Sequence, residues 1–238
     1  SEIEDVIRRL RKILEDLERV SEKLLREIKK ILDEARRRDH MVLHEYVNAA
    51  GITVRVFRDG SGSKEELAKL VEELIRELAK LAKEVDEIHK RIVERLKALV
   101  EDAERIHRKI VETLEEIVRG VPSEELKRVV EAIVEVIKEH LKVLADVIRR
   151  IIKAIEENAE TIKRVLEDIV RVLELVLRGE GSIEDLVREV ERLIKRIEDS
   201  LRELEKTVRE LLKRIKEASD KVREDVDRLI KELKEAAD

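Results

Sequence analysis

Five histidines are the residues of this chain best suited to chemistry, and their spacing decides most of what that chemistry can be. His89 and His107 lie on one helical stretch about 18 positions apart, roughly 27 Å at 1.5 Å per residue, so they cannot share a metal ion. His107 and His140 belong to neighbouring stretches and can approach, but two imidazoles without an acidic third ligand make a poor zinc site. No Glu-x-x-His pair is set for a di-metal centre, no Ser/His/Asp grouping rises above chance, and no glycine-rich loop is placed to cradle phosphate. The absence of cysteine also removes thiolate metal sites, thiolate nucleophiles and disulfides. The expectation is a protein that is not an enzyme and takes neither metal nor cofactor.

The elements that carry these residues are long helices. Of 238 residues 47% are charged, far above the roughly 25% of an ordinary domain, and 42% are hydrophobic, almost all of them Leu, Ile, Val and Ala. Glycines at Gly60, Gly62, Gly120, Gly179 and Gly181 punctuate the chain, since glycine ends helices in the left-handed conformation and weakens their interiors. The breaks predict helices over 1–59, 64–119, 123–178 and 182–238, with N-caps at Ser63, Ser123 and Ser182 and a stiff entry at Pro122. Within each stretch apolar residues recur at three and four positions and form a stripe wider than a two-stranded coiled coil needs. Loops of a few residues force antiparallel neighbours. The predicted fold is all-α, a single elongated antiparallel up-down-up-down four-helix bundle over 1–238. A core without Trp, with a Lys/Glu/Arg surface, resembles that of de novo designed helical bundles.

Mirrored counting across the short breaks places polar residues of different helices at the same level. Ser21, Asp102, His140 and Ser219 to Lys221 fall in one layer, with His107 little more than a turn away. A second takes in His89, Lys153 and Thr207, with Asn158 and Thr161 near Ser200. Clusters of this kind are expected to be buried hydrogen-bond networks that specify pairing and register. Their histidines also offer pH sensitivity, because protonation in an apolar layer forces extra donors into a network built for neutral rings.

Residues 38–57 break the pattern. They hold the only Met (Met41), Tyr (Tyr46) and Phe (Phe57), two histidines (His40, His44) and the one glycine outside a break, Gly51. Ile52, Thr53, Val54 and Val56 favour a strand, yet the apolar register of Leu17, Ser21, Leu24, Ile28, Ile31 and Ala35 continues through Val42, Ala49, Ile52 and Val56. In that register Met41 and Tyr46 lie beside the stripe and Glu45 falls on it. Such a conflict between local preference and global pattern marks a functional or switching segment.

The 16 residues Arg38, Asp39, His40, Met41, Val42, Leu43, His44, Glu45, Tyr46, Val47, Asn48, Ala49, Ala50, Gly51, Ile52 and Thr53 resemble, along their whole length, the engineered eleventh-strand fragment of split green fluorescent protein. The natural continuation of that strand is absent, since Val54, Arg55, Val56 and Phe57 follow instead. The resemblance implies a partner, the barrel fragment lacking its last strand, which the segment would complete by β-strand addition. It also assigns Glu45 to the strand carboxylate beside the chromophore, whose forming residues reside in the partner. The overall plan is similar to designed latch-and-cage switches, in which helix and strand are mutually exclusive states of one peptide. The alternative is a structural bundle or assembly component that carries the strand only for detection. Neither nucleic acid nor membrane is an expected partner: charges of both signs interleave around a net charge of -5, and no apolar run approaches the ~20 residues of a membrane span. A monomer is expected, with a designed helical partner or domain-swapped oligomer as further possibilities. With no targeting signal recognised, a cytoplasmic or recombinant setting is expected.

Overall fold

The computed structural model describes residues 2–59, 64–180 and 183–237, with the side chains of 42, 43, 46, 47, 49–59, 64, 183, 186 and 237 outside that description. Four helices follow one another: α1 (Glu2–Asp59), α2 (Lys64–Gly120), α3 (Glu124–Leu177) and α4 (Ile183–Ala237). They form an all-α four-helix bundle with antiparallel packing, as the wide apolar stripes and short breaks require. Acids occupy every first turn, among them Glu2, Glu4 and Asp5 in α1 and Glu124 and Glu125 in α3, where the positive end of the helix dipole favours them.

The helices stop by different devices. At the end of α3 the Gly179 amide donates to the Val176 carbonyl and the Glu180 amide to the Leu175 carbonyl, each at 3.1 Å. This is a Schellman closure, and Gly179 adopts the φ of 70° that it needs. Gly120, also expected to turn left-handed, is instead the last helical residue of α2 and has no positive φ. Pro122 explains the difference: it disfavours helical geometry at Val121 and so ends the helix without help from a left-handed residue. The Ser123 carbonyl accepts from the Lys127 amide at 3.0 Å, which makes Ser123 the residue that opens α3. The remaining break residues, Gly60, Gly62, Ser63, Gly181 and Ser182, lie outside the described residues.

Two compact units divide the chain, each drawing on all four helices. The first comprises Ser1–Lys30, Glu94–Ile152 and Val208–Asp238. Its core joins Leu10 and Leu17 of α1, Leu114 and Ile117 of α2, Val130 and Ile133 of α3, and Val226 and Leu233 of α4, all at 2% exposure or less. The Arg223 guanidinium meets Glu18 at 3.1 Å on its surface. The second comprises Ile31–Val93 and Lys153–Thr207. Val71 and Leu78 pack there with Val165 and Ile169 of α3 and Leu193 of α4, and Arg36 of α1 reaches Glu205 of α4 at 2.8 Å. Fully burying each such aliphatic side chain contributes roughly 1.5–3 kcal/mol, against 0–1 kcal/mol for an exposed ion pair, so the stripes and not the surface charges hold each unit.

Two substitutions separate these contributions. Leu114→Ala, at a position with no exposure, is expected to cost about 3–4 kcal/mol of unfolding free energy in urea titrations. Gly179→Ala is expected to cost about 1 kcal/mol, although nothing lies within 4 Å of the added carbon, because the penalty is in the backbone.

Candidate functional site: the strand-like segment and its buried polar neighbours

Helix α1 runs without interruption through Arg38–Thr53. Arg38, His40, Met41, His44, Glu45 and Asn48 are exposed, with Met41 at 65%. One expectation is thereby corrected, since Glu45 does not lie on a buried stripe; Met41, expected beside the stripe, is largely exposed. Burying an unpaired carboxylate is costly, and the helix presents Glu45 to solvent instead. One turn apart, Asn48 Nδ2 donates to His44 Nε2 at 3.4 Å. The side chains of Val42, Leu43, Tyr46, Val47, Ala49, Ala50, Gly51, Ile52, Thr53 and Val56 lie outside the described residues, and with them the expected continuation of the stripe.

Asp39 is the exception among the described side chains of this segment. It is only 8% exposed, and its Oδ2 lies 3.5 Å from Nε2 of His89, itself 4% exposed on α2. Charge attraction operates at that distance, but the approach is too long for a good hydrogen bond, and Asp39 Oδ1 has no partner among the described residues. The other ring nitrogen, His89 Nδ1, donates to the Val85 carbonyl at 2.8 Å. Burial pulls the His89 pKa down, but the Asp39 carboxylate, the Val85 carbonyl and Asp86 together outweigh it and raise the pKa above its ordinary 6.5. Sequence reasoning grouped His89 with Lys153 and Thr207 and missed Asp39. Thr207 is only half-buried, and Lys153 is exposed because its long stem lets the ammonium escape a core that its charge cannot enter cheaply.

A second set of polar groups sits in the first unit. His107 has no exposure and donates from Nδ1 to the Ala103 carbonyl at 2.6 Å. Its ring centroid is 6.4 Å from that of His140, which accepts from Ser21 Oγ at 3.4 Å through Nε2. Ser219 directs a buried Oγ that has no hydrogen-bond partner among the described residues, as do His107 Nε2 and His140 Nδ1. Asp102, assigned to this layer by counting, is exposed and pairs with Arg105 of its own helix, and Lys221 is exposed as well. Without a carboxylate to oppose it, burial lowers both histidine pKa values. His140 falls to about 4, helped by the adjacent His107 and opposed by the Ala218 carbonyl.

In the second unit Ser200 Oγ donates to Asn158 Oδ1 at 2.7 Å, joining α3 to α4. Thr161 is not joined to them by a hydrogen bond, since its hydroxyl donates to the Glu157 carbonyl one turn back, at 3.0 Å. No group of three or more His, Cys, Asp or Glu among the described residues is arranged to hold a metal ion. An open groove of about 630 Å³ runs along α1 and α2 in the first unit, over Ile13, Val20, Ile106 and Ile110. Its charged lining is Arg9, Lys12, Asp16, Arg19 and Lys109, whose cations are exposed, and Thr113 is already engaged with the Lys109 carbonyl, so no built polar site faces a ligand there. No helix among the described residues is long and apolar enough to cross a membrane.

No protein-family model matches the chain, and no curated protein matches it. Among solved structures it is similar to one described as a computationally designed three helix bundle, at 17% identity over 96% of this chain and 93% of that one, with a TM-score of 0.26. A likeness that distant does not bear on fold or function.

The histidine pair predicts acid sensitivity in the first unit. A buried base whose folded pKa lies below its unfolded value contributes stability that is complete above about pH 6.5 and is lost as pH falls towards 4. For His140 the loss amounts to ~3 kcal/mol when complete. Urea midpoints measured at pH 7 and pH 4.5 are expected to fall less in His140→Gln than in the parent chain.

Proposed function

We propose that this chain is a designed helical scaffold that holds a fluorescent-protein strand sequence, residues 38–53, in helical form, and that it complements the strand-lacking barrel fragment when the segment opens. The observation that carries the reading is the uninterrupted course of α1 through Arg38–Thr53, despite Gly51 and the β-branched residues after it. A helix satisfies its backbone groups internally, whereas strand addition requires the same amides and carbonyls to face a sheet edge, so the two states exclude each other.

Binding then proceeds from the open fraction. A cage worth about 4 kcal/mol lowers the apparent affinity for the barrel by about 10³. The segment lies inside α1, with α1 residues on both sides of it, so its release requires local unfolding or displacement of that helix. Once released, Glu45 would stand beside the chromophore of the partner, as the resemblance implies. The chemistry of the chromophore resides in the barrel fragment; the chain itself acts as neither an enzyme nor a nucleic-acid binder in this reading. A second reading, a structural bundle whose strand sequence serves detection only, is favoured by the exposure of His40, Met41, His44, Glu45 and Asn48.

Mixing the chain with excess barrel fragment separates the two. The cage reading predicts fluorescence growth slower than that of a free 38–53 peptide by about a hundredfold or more. It also predicts acceleration when Val42→Ala and Ile52→Ala are introduced into both chain and peptide. Growth at the rate of the free peptide would leave only the detection reading.

A further inference from the structure

The donor arrangement around His89 dictates its charge. Its Nδ1 donates to the Val85 carbonyl, so in a neutral ring Nε2 would be a bare lone pair facing the Asp39 carboxylate. Two acceptors 3.5 Å apart in a buried site repel; a proton on Nε2 turns the contact into an imidazolium–carboxylate pair. His107 supplies the contrast, since it makes the same backbone contact through Nδ1 but has no carboxylate at Nε2 and needs no second proton.

We infer that His89 is a positioning residue that pins the strand-like segment through Asp39, and that loss of its Nε2 proton loosens the helical hold on residues 38–53. The charged groups acting on His89 are Asp39 from α1 and Asp86 from α2 itself; among the described residues α3 and α4 bring no charge to bear on it. The raised His89 pKa gives the sign. A base whose folded pKa exceeds its unfolded value stabilises fully below about pH 6.5, and the contribution disappears as pH rises through the folded pKa. The two units therefore respond in opposite senses: acid weakens the one that holds His107 and His140, and base weakens the one that holds the segment.

This inference rests on the complementation reading only in its fluorescence arm. In that arm, complementation rates are divided by those of the free peptide at each pH, which cancels the response of the barrel itself. The ratio is expected to rise on the order of tenfold from pH 6 to pH 8, with about thirtyfold as the limit for one proton released above about pH 6.5. His89→Gln, and Asp39→Asn with a peptide carrying the same change, are expected to shift the ratio at all pH values but flatten its slope. In the second arm, the His89 imidazole is titrated by NMR in the chain alone. It is expected to titrate above 6.5 and to drop below that value in Asp39→Asn. A His89 that titrates below 6.5, or is indifferent to Asp39→Asn, overturns the inference, as does complementation whose rate ratio is flat with pH. The expected NMR titration in a chain that never lights the barrel would preserve the pin and sink the complementation reading.

Discussion

Burial of aliphatic stripes holds each unit, with all four helices contributing to the core of the first and α2, α3 and α4 to that of the second, beside the buried Ile31 of α1. Leu17, Leu114, Val130 and Leu233 in one unit, and Val71 and Val165 in the other, are wholly buried. Each contributes more than any exposed ion pair, and the contributions add only if the helices stay continuous. That constraint reaches into residues 38–53. Gly51 and the β-branched positions together disfavour a helix by roughly 3 kcal/mol, comparable to the burial of one or two aliphatic side chains. The helix persists, so the cooperativity of a continuous helix outweighs local preference here.

The buried histidines fall into two classes with opposite electrostatics. His107, His140 and Ser21 meet one another and the backbone, an arrangement suited to neutral rings. His89 meets a carboxylate, an arrangement suited to a charged one. Such pairs are poor sources of net stability, because the cost of removing two charges from water offsets their attraction. Breaking one side is nonetheless expensive, since it leaves the other charge buried and alone. A contact with those properties adds little to a fold but makes the state of one segment depend on the state of one proton.

Most of the fold was legible because its signals repeat. The apolar period and the breaks located four helices to within a few residues, and counting brought His140 level with Ser21 and Asn158 level with Ser200. The same counting grouped His89 with Lys153 and Thr207 and named no partner for it on α1, so it missed Asp39. A signal for Asp39 was nevertheless present. The stripe that passes Ala35 and resumes at Val42 must cross position 38 or 39, and both are charged, so one charge had to be buried or the stripe broken. Asp102, Lys153 and Lys221 were misplaced for the complementary reason: a level along the bundle does not fix the face of the helix, and charged side chains take the outward one. Gly120 was misjudged because Pro122, legible in the sequence as a stop for α2, already ends that helix and leaves the glycine no left-handed turn to make.

In the proposed cage, residues 38–53 are held in a helix by the surrounding bundle. Amide hydrogen exchange in the chain alone, resolved by residue and compared with a free 38–53 peptide, tests it without any barrel partner. Amides of this segment are expected to exchange at least a hundredfold more slowly than in the peptide, as befits backbone groups that exchange only through opening. Exchange at the rate of the peptide, while the flanking turns of α1 remain protected, would contradict it.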